Sequence, residues 1–134
     1  EVGSRLHCRH LWVRGNETQL SQMLLNLVLN AYQAMETDGG TLTVTTEQDG
    51  DAVCFHVADT GPGIDPGLLE HIFEPFFTTK ERGKGTGLGL AIVQQVVQDH
   101  QGSVSVHSQP GHGTTITVRL PLPPPDAERR DNDI

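Results

Sequence analysis

The chain has 134 residues, a mass of 14.6 kDa and a net charge of -8, from nine Lys and Arg against 17 Asp and Glu. That length suits one domain with a real core, and the acidic balance argues against the basic patch that a nucleic-acid partner requires. No apolar run approaches the ~20 residues that cross a bilayer, and no signal peptide is read at the start, so this piece is expected to span no membrane and make no membrane contact, while its two cysteines, read as reduced thiols, point to the cytoplasm.

Residues 1–16 mix apolar and basic residues without a clear period, and Val2, Leu6, Leu11 and Val13 fit an irregular strand. Asn16-Glu17-Thr18-Gln19 then reads as a helix start, with a capping Asn, an acid in the first turn and Gln at the third position. Leu20, Met23, Leu24, Leu27, Val28, Ala31, Ala34 and Met35 keep the i, i+3, i+4, i+7 pattern, and Gly39-Gly40 ends the helix. Residues 41–46 and 52–58 alternate apolar and polar, and Gln48-Asp49-Gly50-Asp51 joins them as a hairpin. A turn-rich loop covers 59–67, a short helix 68–73, and a mobile loop 76–86 that carries Lys80, Arg82 and Lys84. Residues 87–100 return to a helical pattern with Leu88, Ile92 and Val96 on one face. Residues 103–108 and 114–120 form a second hairpin around Pro110-Gly111, and the Pro-rich, then charged, end reads as a disordered tail. This order predicts an α/β domain over 1–121, its mixed, mostly antiparallel sheet covered on one face by helices, with 122–134 as the tail. Cys8 and Cys54, with no CxxC pair, read as reduced thiols.

Four features carry chemistry. Gln22, Asn26, Asn30 and Gln33 fall within about one quadrant of the long helix, beside its core stripe, while Leu25 and Leu29 lie opposite the core. A solvated edge would account for amides there. Asparagine is nevertheless a poor helix former, and an amide oxygen facing a cavity can ligate Mg²⁺. Asp59-Thr60-Gly61-Pro62-Gly63-Ile64 follows an apolar strand. It is either an ordinary turn or a site where a carboxylate accepts from an exocyclic amine while glycines let a flat base approach. Gly83-Lys84-Gly85-Thr86-Gly87-Leu88-Gly89-Leu90 opens a helix. Gly is costly inside helices, so its placement there implies close approach to free amides that attract phosphate. Its spacing matches neither the dinucleotide fingerprint nor the P-loop. Phe73-Glu74-Pro75-Phe76-Phe77-Thr78-Thr79-Lys80 gathers three of the four phenylalanines and reads alone as a hydrophobic anchor. His7-Cys8-Arg9-His10 is a poor metal site, because on a strand Cys8 points away from both histidines.

Together and in order, these features resemble the ATP-binding catalytic domain of bacterial sensor histidine kinases, related to gyrase, mismatch-repair and chaperone ATPases. Asn26-Leu27-Val28-Leu29-Asn30-Ala31 resembles the asparagine box, 59–64 the first glycine box, 73–77 the phenylalanine box and 85–90 the second glycine box. Gly113-Thr114-Thr115 resembles the last glycine-threonine motif, and Glu74 to Lys80 the wording of the nitrogen-regulation branch. The resemblance implies a two-layer α/β sandwich with a mobile ATP lid, and ATP and Mg²⁺ as ligands. It implies that Asn30 ligates Mg²⁺, with Asn26 and Gln33 near the phosphates. Asp59 would bind the adenine amine, helped by Thr114 through water, with Gly61, Gly63 and Ile64 lining the base. Lys80, Lys84, Thr86 and the amides of Gly87 and Leu88 would form the lid. Ala34, Phe77, Thr78 and Gly85 complete the implied nucleotide contacts, and Asn26 and Lys80 are the implied catalytic residues.

Hydrolysing relatives carry a Glu base four residues before the Mg²⁺ asparagine, where this chain has Asn26, whose amide cannot take a proton from water. That favours phosphoryl transfer to a protein. None of the seven histidines is followed by an acid, so the acceptor histidine is expected on a separate dimerisation domain of the parent kinase, with a response regulator downstream. Two other readings stand beside this one: a nucleotide-dependent protein-binding module resembling anti-sigma factors, and an ATPase clamp.

Overall fold

The computed structural model describes residues 2–6, 15–77 and 89–122. The elements are β1 (Val2–Leu6), α1 (Glu17–Ala34), β2 (Leu42–Asp49), β3 (Ala52–Asp59), a short 3-10 helix (Pro66–His71), α2 (Gly89–Asp99), β4 (Ser103–Ser108) and β5 (Thr114–Pro121). The strands form one five-stranded sheet in the order β1-β2-β3-β5-β4, with β1 parallel to β2 and every other pair antiparallel. Both α-helices pack on one face of it. This is the expected sandwich, and the irregular opening strand is a regular parallel edge, Val2 pairing with Leu42 and Leu6 with Thr46.

The core joins both helices to the inner sheet face. Leu20, Met23, Leu27 and Ala31 of α1 meet Val93, Val96 and Val97 of α2 above Val53, Val57, Ile116, Val118 and Leu120. The buried stripe of α2 centres on Val93 and Val97, with Ile92 only partly buried, one position round from the face expected. Leu25 and Leu29 are exposed, as their angular positions require.

Element ends follow local chemistry. The Asn16 side chain accepts the Gln19 N–H at 3.0 Å, so the expected N-cap forms. Replacing it with Ala should cost about 1 kcal/mol of stability, read by urea denaturation. The helix stops at Ala34, short of Gly39-Gly40, because Glu36 to Asp38 turn while Met35 stays buried and bonds back to Ala31. β2 extends to Asp49, past the expected end, because Glu47, Gln48 and Asp49 pair with Cys54, Val53 and Ala52. The turn is thereby reduced to Gly50 and Asp51, and Gly50 takes φ 61°. The short helix begins earlier than expected because Asp65 caps it, accepting the Gly67 N–H at 2.8 Å.

Leu122, expected to open the tail, packs against the core and donates its N–H to the Asp51 carbonyl at 2.8 Å. Residues 123–134 lie outside the described residues, as do Cys8 and the whole His7 to His10 run. Cys54 is free and buried, with Arg119 reaching over it to pair with Asp49 on the outer sheet face.

Candidate functional site

The polar stripe of α1 presents Gln22, Asn26, Asn30 and Gln33 beside the core. Asn26 and Asn30 are partly buried, whereas Gln22 and Gln33 are exposed. The side-chain nitrogen of Asn26 is fully buried and is the one such atom without a hydrogen-bond partner among the described residues. A buried donor left unpaired costs about 1–3 kcal/mol, which an acceptor from a ligand or a water would relieve.

At the end of β3 stands Asp59, 7% exposed, directly across the ladder from Thr114 of β5, also 7% exposed. Burial pushes the Asp59 carboxyl above its ordinary value of 3.8, opposed by hydrogen bonds from the backbone N–H groups of Gly61 and Thr114. No cation pairs with it among the described residues. A buried carboxylate stabilised only by N–H donors is suited to accept one more from a ligand.

The loop after Asp59 is held on three sides. Gly61 donates its N–H to Asp59 Oδ1 at 2.9 Å, and a Cβ on it would lie 3.0 Å from the Ala34 carbonyl at the end of α1. Thr60 accepts the Thr41 N–H at 2.9 Å. On the far side Gly111 donates to the Pro62 carbonyl at 2.6 Å, and Ile64 donates to Ser108 Oγ at 2.8 Å. Gly63 has φ 79°, and a Cβ there would collide with the Gln109 carbonyl; Gly113, at φ 85°, would collide likewise with the Asp59 carbonyl. Here glycine is required by both conformation and space.

The structure thus gathers Ala34, Asp59, Gly61, Gly63, Ile64 and Thr114 where α1, the β3 loop and the β4–β5 turn meet. Asn26, Asn30 and Gln33 stand on α1. Phe77 is half-buried, its ring centre 6.0 Å from that of His71, while Phe76 is 74% exposed at φ 67°. The expected aromatic anchor is therefore incomplete, and Ile72 is the side chain buried there. Thr78, Lys80, Lys84, Gly85, Thr86, Gly87 and Leu88, and with them the expected lid, lie outside the described residues. Sequence reasoning gave no role to Thr60, which lies inside the motif and accepts the Thr41 N–H, and missed Ser108, which touches the loop from outside it. Ser108 could have been found as the polar strand-end residue that a hairpin around Pro110-Gly111 sets opposite Thr114.

Residues 15–124 match the model of the "Histidine kinase-, DNA gyrase B-, and HSP90-like ATPase" family. Similar proteins include the sensor kinase CckA of Brucella abortus, 42% identical over 86% of this chain and 14% of its own length. The sensor histidine kinase ZraS of Escherichia coli is 44% identical over 82% of this chain and 23% of its own. The chain therefore spans less than a quarter of either relative. Among solved structures, the catalytic domain of histidine kinase ThkA superposes with a TM-score of 0.80 at 34% identity, covering 92% of this chain and 81% of that one. A mycobacterial sensor histidine kinase, MprB, gives 0.78 at 35% identity, over 92% and 83%. The chain belongs to the histidine kinase-, DNA gyrase B- and HSP90-like ATPase family, with the fold and sequence of a histidine kinase catalytic domain.

Proposed function

We infer that this domain binds Mg²⁺-ATP and transfers the γ-phosphoryl group to a histidine on a separate helical domain of a sensor kinase. The observation that carries the reading is Asp59, a buried carboxylate with N–H donors but no cation among the described residues, at the mouth of a glycine-shaped loop. Its free acceptor capacity suits the exocyclic amine of adenine, and Thr114 stands beside it on the next strand. The glycines leave room for a planar base. At the other side of the site, the unpaired Asn26 amide suits a phosphate oxygen as its acceptor.

Among the described residues no group of three His, Cys, Asp or Glu can hold a metal ion by itself. This donor set fits an ion that arrives with its nucleotide, held by the Asn30 amide oxygen, phosphate oxygens and water. When bound, Mg²⁺ neutralises charge on the phosphates. The side chains of α1 orient the triphosphate and leave its outer end open to an acceptor. Catalysis of this kind rests on positioning, which a rigid helix supplies. Asn26 occupies the place of a hydrolytic base and cannot serve as one, which favours transfer over hydrolysis. The response regulator follows as the acceptor of the next transfer, and cytoplasmic ATP places the domain in the cytoplasm. Among the described residues no helix is long and apolar enough to cross a membrane.

Calorimetric titration with a non-hydrolysable ATP analogue and Mg²⁺ tests the first half. Saturable one-to-one binding is expected; absence of binding by folded protein would remove the reading.

A further inference from the structure

Ser108 closes β4 opposite Thr114, and its hydroxyl touches three partners. Ile64 N–H donates to it at 2.8 Å, the Gly113 carbonyl lies at 3.1 Å, and Thr114 Oγ1 lies at 2.8 Å. A serine hydroxyl has one proton, and a carbonyl can only accept. If Ser108 gives its proton to the Gly113 carbonyl, the contact with Thr114 must be made with the threonine's proton. The reverse order would leave that carbonyl with only the long 3.4 Å bond from the Gln109 N–H, and the proton of a buried Thr114 hydroxyl without an acceptor among the described residues. An unpaired buried group is the costly arrangement, so the chain runs from Thr114 to Ser108 to Gly113.

The consequence reaches the ligand. With its proton engaged, Thr114 Oγ1 turns only lone pairs toward the site. Asp59, across the ladder, is an acceptor as well. We propose that Ser108 is a positioning residue for base selection: it fixes the Thr114 hydroxyl so that the pocket presents acceptors only, and therefore takes a purine with an amine at this edge and rejects one with a carbonyl. The inference rests on Asp59 and Thr114 facing the base. A guanine oxygen would meet two acceptors. Ser108 also holds the Ile64 end of the loop that lines the base, so its two bonds fix the shape and the polarity of one pocket.

The test is calorimetric affinity for non-hydrolysable ATP and GTP analogues in the whole chain, with thermal melts to verify folding. Ser108→Ala frees the Thr114 proton to face the ligand, and the preference for ATP over GTP should fall about tenfold. In a Thr114→Val background the same substitution should change the preference no further, because the hydroxyl through which Ser108 acts is gone. Ser108→Thr keeps the hydroxyl and should keep the preference. Should Ser108→Ala not fold, Ser108→Cys, a weak donor and acceptor, is expected to lose the preference in its place. An unchanged preference in folded Ser108→Ala or Ser108→Cys would overturn the inference, as would an equal further loss without the Thr114 hydroxyl. Asp59→Asn separates the two levels. If it leaves ATP binding intact, the base reading itself fails; if it removes binding while Ser108→Ala keeps the preference, only the inference about Ser108 fails.

Discussion

Asp59→Asn should remove most ATP affinity while leaving the free domain at least as stable at neutral pH. The amide presents a donor or a weaker acceptor to the adenine amine, a buried mismatch of roughly 1–3 kcal/mol, which is about 5- to 150-fold in affinity. The stability half follows from the sign of the pKa shift. Burial holds the Asp59 carboxyl above its ordinary value, so the folded chain takes up this proton at a higher pH than the unfolded chain. The group's cost to folding is full above the folded pKa and is relieved as pH falls through it. An asparagine never bears that cost. Calorimetry against the ATP analogue reads the first effect, and urea denaturation at pH 7 and at pH 4 the second. The wild-type chain should gain on the mutant as pH falls between those points. Undiminished affinity in a folded mutant would refute the adenine role, and a mutant clearly less stable at pH 7 would refute the burial argument.

The helices and antiparallel strands were legible because their chemistry is local. The stripe from Leu20 to Met35 has one period, the Asn16 cap has one reading, and each hairpin carries glycine at its turn. Asp59 and the glycines after it were legible for the same reason: a strand end and a turn lie side by side in the chain. What periodicity did not reveal is pairing between distant segments. The parallel partnership of β1 with β2 joins strands with α1 between them, and nothing in Val2–Leu6 alone announces it. The α2 face was misjudged by one position because its four β-branched residues, Ile92, Val93, Val96 and Val97, fill an arc of about 140°, wide enough to centre the buried stripe on either edge. Only burial in the common core with α1 and the inner sheet face selects Val93 and Val97. Ser108 went unread for a third reason, although the hairpin already set it opposite Thr114. A serine at a strand end is unremarkable until the fold sets its hydroxyl within reach of Ile64, whose sequence separation is 44 residues.

The largest effect is expected at Asn30. Mixed with the isolated helical domain of its parent kinase and Mg²⁺-ATP, this chain should yield acid-labile phosphohistidine on that partner, and Asn30→Ala should abolish the product. In the transfer, a neutral imidazole nitrogen of the acceptor bonds to the γ-phosphorus, the bond from that phosphorus to the β–γ bridging oxygen breaks, and ADP leaves. The phosphates must be held in line for this, and removing the only amide oxygen assigned to the metal disorders them. Asn30→Asp is the poorer control, since a carboxylate can still hold the ion. Alone, the wild-type chain should release phosphate slowly, because Asn26 offers water no base. Asn26→Glu supplies a carboxylate at that position, and a Mg²⁺-dependent rise in phosphate release is expected if the site already orients a water. The contrary result is equally specific. Fast phosphate release by the unmodified chain, lost in Asn30→Ala, would make this an ATPase whose base lies elsewhere, and phosphotransfer would cease to be the reading its geometry supports.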